Sequence, residues 1–188
     1  MITVVSGLPR SGTSLMMQML SVGGVPILAD AHRPADANNP KGYLEFEKVK
    51  QLKRDDSWLG EAEGKAVKII SHLLLELPTD LQYQVVFMVR NLDEVVASQS
   101  AMLERLGRQG APVTTVELKR VFSKHLEDVK VWLAKHDGFR TLYVNHHELV
   151  SQPQVEAERV SEFLGGGLHV EAMVGCVDPN LYRERSSV

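Results

Sequence analysis

Residues 2–14 read Ile2-Thr3-Val4-Val5-Ser6-Gly7-Leu8-Pro9-Arg10-Ser11-Gly12-Thr13-Ser14. The run 2–5 is apolar and β-branched, the make-up of a buried strand. Gly7 and Gly12 then bracket four residues, and 14–20 place Leu15, Met16, Met19 and Leu20 on one helical face. In a strand, glycine loop and helix of this kind, successive backbone N–H groups form an anion-binding nest. The helix N-terminus adds roughly half a positive charge. Ser11, Thr13 and Ser14 offer hydroxyls to the same oxygens, and Arg10 is the cation of the loop. A P-loop for nucleoside triphosphates carries Lys directly after the second glycine; here that position is Thr13.

Working outward, strands are expected at 66–70, 84–89 and 141–144. A loop is expected over 30–42 and a polar helix from about 45 to 58. Asn91, with Glu94 three residues on, caps a helix reaching about 106. Thr114 and Glu117 open a long one with the stripe Leu118, Val121, Phe122, Val129, Trp132 and Leu133. Pro153 starts a helix ending near Gly165. Four short strands alternating with helices predict an α/β fold: a P-loop-type parallel sheet with helices on both faces, as a single domain over 1–188.

Composition narrows the function. With 188 residues, 44% hydrophobic and 24% charged, the chain can bury a core unaided. The single cysteine, Cys176, excludes an internal disulfide and a Cys-based zinc site. His32, His146 and His147 show no metal-ligand spacing and read as surface or structural, so no metal is expected. A net charge of −3 gives no basic field for nucleic acid or membrane. No run approaches the ~18 apolar residues of a span. The apolar start breaks at Gly7, Pro9 and Arg10, unlike a signal peptide, and a cytoplasmic protein is expected. Trp58 and Trp132 read as core; Lys65 and Lys68 bracket a strand near the site and read as solvated, with one of them helping to neutralise a bound anion as the alternative.

An anion must therefore be held locally. The strand 85–89 ends in Arg90, where a kinase or GTPase would place an Asp for magnesium. A guanidinium at a strand's C-terminal end lies where open α/β sheets bind ligands. Ser98, two turns into the next helix, adds a hydroxyl on that side.

These motifs resemble those of the sulfotransferases that use 3′-phosphoadenosine 5′-phosphosulfate (PAPS). Pro9-Arg10-Ser11-Gly12-Thr13-Ser14 is similar to the family's 5′-phosphosulfate loop, Pro-Lys/Arg-Ser-Gly-Thr-Thr/Ser. Arg90-Asn91-Leu92-Asp93-Glu94 with Ser98 resembles its 3′-phosphate site, although Leu92 replaces a proline. The segment Asn145-His146-His147-Glu148-Leu149, Pro153 and Phe163-Leu164-Gly165 resembles a third family pattern, so the likeness runs from residue 1 to about 165. It implies PAPS as co-substrate, with Arg10, Ser11, Gly12, Thr13 and Ser14 on the 5′-phosphosulfate and Arg90 and Ser98 on the 3′-phosphate; Arg10 is also expected to act in catalysis, as partner of the bridging oxygen when the bisphosphate leaves. The acceptor would be a hydroxyl or amine of a small molecule or glycan. The family's late Arg-Lys-Gly loop is absent, so either Arg183 or Arg185 closes over the 3′-phosphate or the cofactor is held more loosely.

Two general bases are open. Ile70-Ser71-His72-Leu73 resembles the Lys-Thr-His-Leu segment whose His is the base in cytosolic members. An imidazole, titrating near ~6.5, accepts a proton at neutral pH without tuning. Glu45, in Asn39-Pro40-Lys41-Gly42-Tyr43-Leu44-Glu45, resembles a segment of bacterial-type members, other branches of which use a Glu base. His72 is preferred as base, with Glu45 contacting the acceptor. The alternatives are a nucleotide-binding or regulatory protein that keeps the phosphate loops without transfer, and an atypical P-loop kinase.

Overall fold

Parity along the strands decides what each residue covers. In the computed structural model, which describes residues 1–30, 36, 39, 42–107 and 113–182, four strands form one sheet. They are β1 (Ile2–Gly7), β2 (Ala66–Lys68), β3 (Tyr83–Val89) and β4 (Phe139–Asn145). All pairings are parallel and the order is β2-β1-β3-β4, with Val4 opposite both Val67 and Val85. Successive side chains point to opposite faces. Ile2, Val4, Val67, Val85 and Phe87 share one core with Trp58 and with Val129 and Leu133 of α4 (Thr115–Lys135). Val5, Val86 and Met88 share the other with Met16, Met17, Met19 and Leu20 of α1 (Thr13–Val22) and with Ala157 and Val160 of α6 (Pro153–Phe163). All six residues of β1 are buried, as a strand covered on both faces requires.

The connections place the site. From β1 the chain runs to β2 on one side, then crosses to β3 on the other side of β1. At such a reversal a crevice opens beyond the carboxyl ends of the strands. The glycine loop leaves β1 there, Lys68 ends β2, α2 (Ser71–Leu74) follows it, and Arg90 follows β3 just before α3 (Leu92–Arg105). His146 opens α5 (His146–Ser151) directly after β4, and α7 (Val170–Gly175) packs on α1.

Local chemistry accounts for the ends of the elements. Thr114 and Glu117 form the expected capping box, each side chain bonded to the other's backbone N–H. Asn91 caps α3 through the N–H of Asp93, but Glu94 is turned inward rather than back to the cap. The expected helix over 45–58 is instead two 3₁₀ turns, Glu47–Gln51 and Ser57–Ala62. Asp30 accounts for the first break: it bonds the Glu45 carbonyl through its own N–H and the Glu47 N–H through its carboxylate, at 2.8 and 2.6 Å, keeping Phe46 extended. Asp55 accepts from the Ser57 N–H at 3.0 Å, an Asx turn that competes with helix. Val121 is 54% exposed and falls outside the stripe that α4 buries. Trp58 is buried as expected, and Trp132 packs edge-on against Phe139 at 4.8 Å.

Candidate active site

The glycine loop has its shape because two positions admit no side chain. Gly7 has φ 144°, and a Cβ there would lie 2.5 Å from Ser11 Oγ and 2.6 Å from the Met88 carbonyl oxygen. Gly12 has φ 101°, and its Cβ would stand 2.6 Å from His146 Cδ2. Between them Arg10 holds φ 72°, a left-handed conformation that costs a non-glycine residue roughly 1–2 kcal/mol. Two contacts offset it. Arg90 Nη1 donates to the Arg10 carbonyl at 3.1 Å, and Arg10 Nε donates to Ser98 Oγ at 3.1 Å. The turn is closed by the Ser11 N–H on the Leu8 carbonyl, and α1 then opens without a side-chain cap.

Around this loop lies a cavity of ≈ 410 Å³, within the range of small-ligand sites. Arg10, Gly12, Thr13, Ser14, Arg90 and Ser98 line it, as does Glu45. Two of the sequence candidates do not. The Ser11 hydroxyl is buried against Gly7, away from the cavity. His72 is exposed on α2, its ring stacked on His125 of α4 with centroids 3.9 Å apart, and it is not among the cavity-lining residues. His125 is fixed in turn by Ser71 Oγ at 2.9 Å from Nε2; burial first, then the neighbouring His72, lowers its pKa. Arg183 and Arg185 lie outside the described residues, as does His32.

Charge converges on the cavity from three strands. Arg90 continues from β3 with its side chain 9% exposed; Nε donates to Glu94 Oε2 at 2.9 Å and its guanidinium covers the Tyr182 ring at 5.2 Å. Lys68, expected in solvent, is buried on β2. Its Nζ donates to the Tyr43 carbonyl, lies 3.4 Å from Ser14 Oγ, and pairs with Glu45 Oε1 at 3.2 Å. His146, expected to be surface or structural, is buried and lines the cavity between Gly12 and Tyr182. Burial, reinforced by the charge of Arg90, lowers its pKa to about 4, so it is neutral at pH 7.

Sequence reasoning missed the site roles of His146, Glu94 and Tyr182, and ranked Lys68 as solvated ahead of a role at the site. Only Lys68 had a signal: a lysine at the end of a three-residue buried strand, with the same parity as Ala66, must face α1 and the loop. Tyr182 reaches Glu94 across 88 residues of sequence, which no local pattern encodes.

A family model for the sulfotransferase domain matches residues 2–180. The chain belongs to the sulfotransferase domain family. Among solved structures, the sulfotransferase domain of the Synechococcus PCC 7002 olefin synthase aligns with TM-score 0.60 and 16% identity, covering 99% of this chain and 88% of that one. Sulfotransferase STF1 from Mycobacterium tuberculosis H37Rv aligns with TM-score 0.61 and 18% identity, covering 93% and 70%. Retinol dehydratase, solved in complex with androsterone and the inactive cofactor PAP, aligns with TM-score 0.53 and 16% identity, covering 96% of this chain and 64% of that one. No curated protein sequence matches the chain. At these identities the structural likenesses establish the sulfotransferase fold, and the family match supports a transferase of sulfuryl groups. The donors suit an anionic co-substrate: an uncapped helix N-terminus, a glycine with no Cβ beside it, and Arg10, Lys68 and Arg90 around one cavity. Among the described residues, no group of three His, Cys, Asp or Glu is placed to hold a metal ion, and no helix is long and apolar enough to cross a membrane.

Proposed function

We propose that this sulfotransferase-domain chain moves a sulfuryl group from PAPS to an acceptor hydroxyl or amine, with Glu45 as the general base. The observation that carries the reading is the convergence of Arg10, Lys68 and Arg90 on one cavity that also presents Glu45. Arg90, Ser98 and the Arg10 guanidinium bonded to it form one cluster, suited to the 3′-phosphate end. Thr13, Ser14, the first N–H groups of α1 and Lys68 stand at the other end, suited to the phosphosulfate. Charge-assisted bonds of this kind are roughly twice as strong as neutral ones. When bound, PAPS supplies the activated sulfuryl group, and its bisphosphate departs with the electron pair of the broken S–O bond.

The residues of the chain then have separable tasks. Glu45 accepts the proton that the acceptor loses as its oxygen or nitrogen bonds to sulfur. Lys68, held by Tyr43 and Ser14, orients the Glu45 carboxylate and adds positive charge near the leaving oxygen. One preorganised donor at a site of developing charge typically contributes about 10²–10³ in rate.

Titration calorimetry with adenosine 3′,5′-bisphosphate (PAP), without added magnesium, tests the binding half of the proposal. Its 3′-hydroxyl analogue should bind more weakly, and Arg90→Ala should erase that preference. Release of PAP from PAPS in the presence of acceptors tests transfer, and separates an enzyme from a nucleotide-binding protein. Absence of PAP binding to the folded protein would sink the reading.

A further inference from the structure

Resting on that reading, we infer that Asp30 is a positioning residue for the base: it holds the chain on either side of Phe46 so that Glu45 stays at the cavity beside Lys68. Asp30 is not among the cavity-lining residues, and it acts on the backbone that carries the base. Its N–H donates to the Glu45 carbonyl at 2.8 Å, and its Oδ2 accepts from the Glu47 N–H at 2.6 Å. Phe46 is extended between those two bonds, with φ −120° and ψ 117°, and its own side chain gives no cap to the 3₁₀ turn Glu47–Gln51. Asp30 supplies that cap from a distant part of the chain.

Both ends of this stretch are hung from β2. The Leu28 N–H donates to the Ala66 carbonyl and the Ala66 N–H to the Pro26 carbonyl, each at 2.8 Å, with Ile27 paired parallel to Ala66. Residues 26–28 thus extend the sheet beyond β2 and deliver Asp30 to the C-terminal side of Glu45. On the N-terminal side, Lys68 of the same strand donates to the Tyr43 carbonyl and, at 3.2 Å, to Glu45 Oε1. One short buried strand therefore sets the span across which the base is held.

The hold works against strain. Leu44, directly before the base, has φ 49°, a left-handed conformation that a side chain with a Cβ resists. Such strain persists only where the surroundings over-determine it. In an extended chain Leu44 and Phe46 would point the same way. Here Leu44 packs on the core shared with α1, and Phe46 on the opposite core, edge-on to Trp58 at 5.5 Å. Glu45 is left between the two cores, over the cavity. Without the bond to Glu47, Leu44 can return to an unstrained conformation, and the peptide that carries Glu45 turns with it. A reacting group misplaced by about 1 Å loses on the order of 10²-fold in rate. Asp30 needs an acceptor oxygen for this task and not a charge, so Asn at the same position can perform it.

Kinetics of PAP release from PAPS, with 2-naphthol as acceptor, test this beside PAP calorimetry on the same variants. Asp30→Ala should lower kcat by about 10–10²-fold, with KM for PAPS and PAP affinity unchanged. Asp30→Asn should recover most of that loss. A second rescue adds Glu47→Pro to Asp30→Ala: proline removes the orphaned N–H and itself confines Phe46 to the extended region. Recovery in either rescue supports a hold on the backbone. An unchanged kcat in Asp30→Ala, a parallel loss of PAP affinity, or recovery in neither rescue overturns the inference and leaves PAPS use standing. If the wild type binds no PAP, PAPS use is wrong. Without wild-type turnover for any reason, exchange of the Glu47 amide, followed by NMR, decides the hold separately. Faster exchange in Asp30→Ala than in both wild type and Asp30→Asn supports it, and any other order overturns it.

Discussion

Tyr182 donates its hydroxyl to the carboxylate of Glu94, at 2.7 and 2.8 Å, and so ties the C-terminal segment to the second phosphate motif. The same carboxylate accepts from Arg90 at 2.9 Å, and the Tyr182 ring lies beneath that guanidinium. Arg90 is thus held rigid, with much of its charge answered from inside the protein. Both partners of the pair are nearly buried, at 9% and 6% side-chain exposure.

Removing the negative charge separates stability from binding. Glu94→Gln keeps the shape but removes the negative charge that Glu94 sets against Arg90. Breaking a buried pair costs about 3–5 kcal/mol, and the retained amide should keep this variant at the low end. The released guanidinium then has more charge for a phosphate, so PAP should bind more tightly even as the urea midpoint falls. Calorimetry and urea denaturation on the same variant check this. A loss of affinity parallel to the loss of stability would mean that Glu94 orients Arg90 more than it neutralises it.

Tyr182→Phe keeps the ring under Arg90 and deletes only the hydroxyl. A buried carboxylate that loses a donor of this kind costs about 1–3 kcal/mol. Stability should drop by that amount, with PAP affinity changed much less than in Arg90→Ala. Equal losses in the two variants would place Tyr182 on the nucleotide itself.

The neutral His146 gives the fold a pH dependence with a definite sign. In the unfolded chain its imidazole takes a proton near 6.5, in the folded chain only near about 4. Between those values the unfolded state binds more protons, so stability falls as the pH drops through that window. The share lost between pH 7 and pH 5 is about 2 kcal/mol. His146→Phe should remove that slope while still packing on Gly12. Urea midpoints at the two pH values measure it, and an unchanged slope would locate the titrating group elsewhere.

The strands, the glycine loop and the long helix were legible because each is written in contiguous residues: β-branched runs, two glycines at fixed spacing, and a cap with its Glu three positions on. Asp30 was not legible as the residue that breaks the 45–58 helix, because its bonds to Glu45 and Glu47 cross fifteen residues or more of chain. The same holds for the site. Arg10, Arg90 and Ser98 stand in or beside motifs, whereas Lys68 and His146 acquire their roles from burial. Glu94 was read as a cap because α3 permits that geometry locally, and Arg90 with Tyr182 outbids the cap with two charge-assisted contacts. His72 illustrates the limit of a motif: its position after β2 was right, but the turn of α2 carries its ring to His125.

Lys68→Met tests the buried cation. Methionine matches the lysine stem in length, and replacing buried charge by an apolar group of similar volume is often near neutral for stability. Transfer should nevertheless fall by about 10²–10³, through the lost charge and the freed Glu45 carboxylate. Single-turnover PAP release measures it beside a urea titration. Retained turnover would show that Lys68 only braces the Tyr43 segment.

Glu45 and His72 compete for the role of the side chain that takes the proton. Glu45 lines the cavity beside Lys68, and His72 stands outside it, stacked on His125. A base must come within hydrogen-bond reach of the proton it removes, and nothing but a rearrangement of α2 would bring His72 there. Glu45→Gln preserves size and hydrogen bonding but cannot accept a proton, so turnover should fall by about 10²–10⁴. PAP affinity should barely change, because the substitution leaves the phosphate cluster intact. His72→Ala removes a stacked surface ring and should leave turnover close to wild type. Its cost should appear instead as a modest loss of stability where α2 meets α4. Steady-state kinetics on both variants with one acceptor decides the matter. If His72→Ala abolishes turnover and Glu45→Gln spares it, α2 must move during the reaction, and the cytosolic-type histidine mechanism holds here after all.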